Sequence, residues 1–209
     1  MLWLNICIIA VASYLLGSFN GSIFVSRCVF HNDIRNLGSG NAGLTNFLRS
    51  FGGPMTFVVV AIDMLKAAGA ALLGGLILGP FGFRLVGQML GLFFVVLGHM
   101  FPLYFSFRGG KGILSTCGAM FVVNWLAITI LLFIFGVFTL LSGRVSVGSI
   151  IAAISFPVSV WLLCGHNLQA TAIAVACGVL ILIMHRSNIA RLIKGEEPKF
   201  SIKKHGGSQ

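Results

Sequence analysis

The chain has 209 residues, 57% of them hydrophobic and only 9% charged, with a formal net charge of +10. A soluble domain of this length cannot cover so much apolar surface, so composition excludes one and points to an integral membrane protein. The positive charge would suit nucleic acid, but the cations form neither a run nor a basic face able to track a phosphate backbone, so no nucleic-acid partner is expected.

A bilayer core takes about 20 apolar residues as helix, and apolar runs fall near 1–25, 54–79, 85–105, 113–141, 147–165 and 168–184. No Lys or Arg precedes the first run and Arg27 follows it, the charge order of a retained, N-out helix rather than a cleaved signal peptide. The run 113–141 is too long for one span, and Asn124 predicts a turn at Val123–Trp125. That split gives about seven crossings, whereas one tilted helix or a re-entrant hairpin there would give about five or six. With seven, Arg27, Arg35, Arg49, Arg108, Lys111, Arg144, Arg186, Arg191, Lys194, Lys199, Lys203 and Lys204 share one side, Arg84 lies opposite and Lys66 lies inside a span. The positive-inside rule makes the cation-rich side cytoplasmic. The expected fold is all-α: a polytopic integral membrane protein with about seven transmembrane helices, an external N-terminus and a cytoplasmic C-terminus. Residues 1–195 form one transmembrane domain and 196–209 a polar, loosely ordered cytoplasmic tail.

Gly17-x-x-x-Gly21, Gly75-x-x-x-Gly79 and Gly87-x-x-x-Gly91 suit close helix packing. Cys7, Cys28, Cys117, Cys164 and Cys177 have no C-x-x-C spacing, so neither a disulfide nor a metal site is expected. No internal repeat is evident, which weighs against a transporter.

The chemistry must reside in short polar segments. Residues 38–53, GSGNAGLTNFLRSFGG, contain Gly38, Gly40 and Gly43 in the G-x-G-x-x-G spacing, but a membrane helix precedes them where a dinucleotide site needs a strand. What remains is a glycine-rich backbone suited to an anion nest, extended by Ser39, Asn41, Thr45 and Asn46, with the guanidinium fork of Arg49 beside it; a plain connecting turn is the simpler alternative. Residues 107–112, FRGGKG, lack the Walker spacing, yet Gly109, Gly110 and Gly112 permit close backbone approach and Lys111 adds a point charge at a helix start.

His99 stands near the cytoplasmic end of a span, and Asp63 and Lys66 share one helix face, where they neutralise each other. Ser149, in GRVSVGS, is suited to capping the following helix. His185, Asn188 and Arg191 or Leu192 fall on one face as the chain leaves the bilayer, the pattern of an interfacial helix. Under the charge-derived topology all these segments emerge on the cytoplasmic side, which implies an anionic, phosphorylated ligand there.

GSGNAGLTNFLR, GHMFPLYFSFRGGKG and HRSNIARL together closely resemble the bacterial acyl-phosphate-dependent glycerol-3-phosphate acyltransferases, the PlsY family, over essentially the whole chain. The resemblance implies a seven-helix, cofactor-free enzyme of the inner membrane, its active site facing the cytoplasm. It would move a fatty acyl group from acyl phosphate to sn-glycerol 3-phosphate, giving lysophosphatidic acid in phospholipid synthesis. Acyl phosphate would come from a separate phosphate acyltransferase.

The implied catalytic residues are Ser39, Arg49, Lys111, His185 and Asn188. Gly38, Asn41, Thr45, Asn46, His99, Gly109, Gly110, Gly112 and Ser149 are the implied substrate-binding residues. Arg49, Lys111 and the backbone of residues 109–112 are expected to hold phosphates, and Ser39, Asn46, Ser149, His185 and Asn188 to orient glycerol phosphate. Leu44 departs from the family's usual Ala, and Leu114-Ser115 from its usual Ala-Thr. No G-x-S-x-G elbow exists and Tyr104 stands where an H-x-x-x-x-D motif would need Asp, so a covalent acyl-enzyme is not expected. A transporter for a phosphorylated solute would use similar cations but need access from both faces.

Overall fold

The computed structural model describes residues 1–199; Lys203, Lys204 and the rest of the tail from residue 200 lie outside the described residues. Among the described residues there are ten α-helices: α1 Leu2–Ser18, α2 Gly21–Phe30, α3 Leu44–Ser50, α4 Met55–Leu78, α5 Arg84–Met100, α6 Ile113–Val123, α7 Trp125–Ser142, α8 Val145–Leu163, α9 Leu168–Met184 and α10 Arg186–Ile193. The outward faces are studded with large apolar side chains such as Phe57, Phe133 and Leu140, the surface a bilayer would cover.

Five helical segments are long and apolar enough to cross a membrane, or six if α9 and α10, bent by 58°, count as one span. The turn expected at Asn124 is present: Asn124 ends α6 and caps α7 by accepting from the Ala127 amide at 2.9 Å, while its Nδ2 donates to the Leu163 carbonyl at 2.8 Å. The 11-residue α6 is about 17 Å long at 1.5 Å per residue, little more than half of a hydrocarbon core about 30 Å thick. By length, then, the apolar α6 falls short of a full span and is not one of these five or six.

The first apolar run is also divided, at Phe19–Asn20, where the sequence reading has one helix. Asn20 caps α2 by accepting from the Ile23 amide at 3.0 Å, and Lys66 Nζ donates to the carbonyls of Gly17 at 3.0 Å and Phe19 at 2.8 Å. The Asp63 carboxylate accepts the Gly21 amide at 3.1 Å and lies 2.7 Å from Lys66. The intramembrane ion pair therefore joins two helix ends, satisfying carbonyls and an amide that lipid would leave unpaired.

Close helix contacts form where side chains are absent. A Cβ on Gly87 would sit 2.1 Å from the Gly74 carbonyl oxygen and one on Gly91 would sit 2.2 Å from that of Ala70, so α4 and α5 touch backbone to backbone. Of the expected pair Gly75 and Gly79, Gly75 packs on α5, where its Cβ would sit 2.7 Å from Gln88 Cγ, but Gly79 meets nothing within 4 Å; Gly74 is the second α4 glycine at the seam. A separate cluster of Ile23, Ile34, Ala42, Phe47 and Val59 anchors α3 and the loop before it, with Phe30 stacked on Phe51 at 4.2 Å.

Candidate active site

The polar segments converge on one cavity of about 710 Å³. Its mouth carries Ser39, Asn41, Thr45 and Arg49 from the first loop and α3, Lys111 and Gly112 from the second loop, Ser146 and Ser149 from α8, and His185 and Asn188 from the bend between α9 and α10. A second part of its wall is apolar. Ile128, Leu131, Leu132 and Phe135 line it from α7, and Ala152, Ala153 and Phe156 from α8, each set at helical spacing on one face. The site thus joins a cationic mouth to an oily arm.

The first loop is built around Asn46, which is buried. Its Oδ1 accepts the Ser39 amide at 2.9 Å, and its Nδ2 lies within hydrogen-bond distance of the carbonyls of Ile34, Leu37 and Asn41 at 3.2, 2.9 and 3.0 Å. Gly38 has φ +55°, and a Cβ there would lie 2.3 Å from Asn46 Oδ1, so only glycine fits on both counts. The Gly40 amide donates to Leu37 at 2.9 Å. Of the amides in the glycine-rich stretch Gly38–Gly43, those of Ser39 and Gly40 are therefore already bonded within the loop. Asn46, expected to orient substrate, instead has both ends of its amide engaged in holding the loop's shape. The loop offers its side chains, Ser39, Thr45 and Arg49, to the cavity. Among the described residues Arg49 has no carboxylate partner, which leaves its guanidinium free for a ligand.

The second loop corrects the expectation in the same way. The Gly109 amide donates to Met100 and the Gly110 amide to His99, both at 3.1 Å, so neither is available to a phosphate. These glycines serve packing: a Cβ on Gly109 would lie 2.0 Å from the His99 carbonyl oxygen, and one on Gly110 would lie 2.2 Å from His99 Nε2. His99 in turn is buried, with Nδ1 3.1 Å from Lys66 Nζ and 3.5 Å from Asp63. Gly112, at φ +83°, turns the chain into α6.

Lys111 bonds to the Asn188 side-chain oxygen. Burial lowers its pKa to about 8, with Glu197 pulling it up and Arg191 pushing it down.

Ser149 does not cap a helix. The structure starts α8 at Val145 with Arg144 as its cap, which puts Ser149 one turn inside the helix, where its hydroxyl joins the cavity wall. His185 Nδ1 lies 2.8 Å from the Ile181 carbonyl, a contact that requires Nδ1 to carry the proton and leaves Nε2 as the acceptor.

The residue that sequence reasoning missed is Glu197, assigned to a loose tail. It is buried; it accepts Asn188 Nδ2 and Arg191 Nε, each at 2.7 Å, and its carbonyl accepts Arg144 Nε at 2.8 Å. A signal was available, since the chain has only 4 acidic residues and this one follows a helix that carries Arg186 and Arg191.

Residues 7–195 match the family model described as glycerol-3-phosphate acyltransferase. The glycerol-3-phosphate acyltransferase of Finegoldia magna is 35% identical over 199 residues, covering 95% of this chain and 98% of its own. That of Staphylococcus saprophyticus is 36% identical, covering 93% and 97%. A crystal structure of PlsY, an integral membrane glycerol 3-phosphate acyltransferase, in its glycerol 3-phosphate form superposes with a TM-score of 0.84 at 31% identity, covering 94% of this chain and 96% of that one. The lysophosphatidic acid form gives 0.80 at 30% identity, with the same coverage.

Fold, cavity and likenesses define the class first: a multi-pass, all-helical membrane acyltransferase. The chain belongs to the glycerol-3-phosphate acyltransferase family.

Proposed function

We propose that the acyl donor is an acyl phosphate and that its fatty chain occupies the apolar arm while both phosphates sit at the cationic mouth. The observation that carries this reading is the joining of Arg49 and Lys111 to an α7–α8 groove of apolar side chains in a single cavity. The primary hydroxyl oxygen of sn-glycerol 3-phosphate attacks the carbonyl carbon, the carbon–oxygen bond to phosphate breaks, and inorganic phosphate leaves with the bond's electron pair. The hydroxyl proton passes to a phosphate oxygen. No protein-bound acyl intermediate is needed because the mixed anhydride is already activated.

Arg49 and Lys111 hold the phosphates; Ser39, Thr45, Ser149, His185 and Asn188 orient the acceptor, within frames set by Gly38, Asn41, Asn46, His99, Gly109, Gly110 and Gly112. Holding both reactants in line is worth roughly 7–11 kcal/mol of barrier, and each donor aimed at the developing oxyanion about 3–4 kcal/mol. The mouth faces the cytoplasm of a bacterial inner membrane, with the N-terminus external and α6 completing a seventh crossing in a locally thin region. That orientation follows from the cation bias and allows supply of acyl phosphate by a separate phosphate acyltransferase.

His185 Nε2, an acceptor on the cavity wall, supports a second route for the proton. If His185→Ala keeps most of its turnover, that route is eliminated. The deciding experiment is inorganic phosphate release by the purified protein given palmitoyl phosphate and glycerol 3-phosphate. Release that requires both substrates and yields lysophosphatidic acid supports the reading; transport of a phosphorylated solute by proteoliposomes with no release would replace it.

A further inference from the structure

We infer that Glu197, in the segment after α10, is a positioning residue for acyl transfer: by bridging Asn188 and Arg191 it fixes which way the Asn188 amide faces. The inference rests on the acyl-transfer reading of the same cavity. An asparagine amide has a donor end and an acceptor end, and a half-turn about its last bond exchanges them. Lys111 is a pure donor and an ionised carboxylate a pure acceptor, so between them Asn188 has one arrangement. Its Nδ2 donates to Glu197 Oε1 at 2.7 Å and its Oδ1 faces Lys111. The second carboxylate oxygen is held by Arg191 Nε at 2.7 Å, and the Glu197 carbonyl by Arg144 Nε at 2.8 Å, so the bridge is tied to α10 and to the start of α8. Burial works to raise the Glu197 carboxyl, but the hydrogen bonds it accepts and the charge of Arg191 outweigh burial and hold it below the usual range, so it stays ionised.

The consequence reaches Lys111. With Asn188 fixed, the ammonium stays at the cavity mouth with a defined direction for its remaining protons. The ionisable groups sharing its cavity are Glu197, Arg191, Arg186, His185, Arg49 and Cys117, with Asp63 and His99 buried in its wall. Of these, Glu197 raises the Lys111 pKa and Arg191 lowers it.

Glu197→Gln keeps the shape and removes both the charge and one acceptor: whichever way the new amide faces, one of Asn188 Nδ2 and Arg191 Nε meets a donor. In the purified full chain, phosphate release is followed from pH 6 to 9.5. Glu197→Gln is expected to lower kcat/KM for glycerol 3-phosphate roughly 10- to 100-fold and to move the alkaline limb toward acid by about 1 unit. Kinetics and a pH profile like those of the parent overturn the proposal. So does a loss that is the same at every pH and accompanied by a lower unfolding temperature, which marks a merely structural role. Should Glu197→Gln fail to accumulate, Arg191→Met decides. It leaves the Asn188 bridge and removes a positive charge, so the alkaline limb must move to higher pH, and an unmoved limb overturns the proposal. A parent protein that releases no phosphate refutes the acyl-transfer reading; an active parent with an indifferent Glu197→Gln refutes only this inference.

Discussion

Replacing Gly110 and, separately, Gly136 by alanine tests whether the second loop works through packing. A Cβ on Gly110 would lie 2.2 Å from His99 Nε2 and 2.9 Å from the Ala42 carbonyl oxygen. The imidazole cannot swing away cheaply, because its Nδ1 is held by Lys66 at 3.1 Å and the ring is buried. Relieving the overlap requires the loop to move by about 1 Å. The overpacking cost is about 1–3 kcal/mol, and a displacement of that size near reacting groups costs up to about 100-fold in rate. Because Lys111 is the next residue, Gly110→Ala is expected to raise KM for the phosphorylated substrates and lower kcat/KM by about 10- to 100-fold. Gly136, in the middle of α7, meets nothing within 4 Å, so Gly136→Ala should leave kinetics untouched and, through helix propensity alone, stabilise folding by about 0.5–1 kcal/mol. Steady-state phosphate release and detergent-solubilised thermal unfolding of both variants decide. Parent-like kinetics for Gly110→Ala would refute the packing argument.

Three further outcomes follow from the same geometry. Lys111, lowered to about 8 by burial, is charged below that pH and neutral above it. KM for the phosphorylated substrates should therefore be flat on the acid side and rise by up to about tenfold per pH unit on the alkaline side; a KM unchanged between pH 7 and 9.5 contradicts this. Asp63→Asn leaves the Lys66 ammonium, 2.7 Å away, without its counter-charge, which costs about 3–5 kcal/mol. A lower unfolding midpoint, partly recovered in the Asp63→Asn/Lys66→Met double variant, is expected, and an unchanged midpoint sinks the ion-pair account. Ala152→Leu, on the α8 wall of the apolar arm, should shift preference toward shorter acyl phosphates by roughly 10-fold; equal discrimination across chain lengths would remove the acyl chain from that arm.

The helical membrane class was legible from composition, and the break at Asn124 from one polar side chain in a long apolar run, because an unpaired amide in lipid is costly enough to mark a helix end. The glycine-rich loops were likewise visible as places where the chain must do something other than span. What each glycine does was not. Gly38, Gly109 and Gly110 read as a phosphate nest, and tertiary contacts made them the gaps into which Asn46 and His99 fit, since a glycine's vacancy has no partner until another element fills it. Glu197 stayed hidden for a related reason. Its neighbours in sequence are a polar tail, and only the turn that ends α10, with Gly195 at φ +72° and the Glu196 amide donating to the Arg191 carbonyl at 2.8 Å, folds it back onto Asn188 and Arg191. Residue types and spacings determined what kinds of groups the protein owns and roughly where the membrane lies. The folded chain decided which hydrogen-bonding ends remain open to a substrate, because each donor is available only if no nearer acceptor has already taken it.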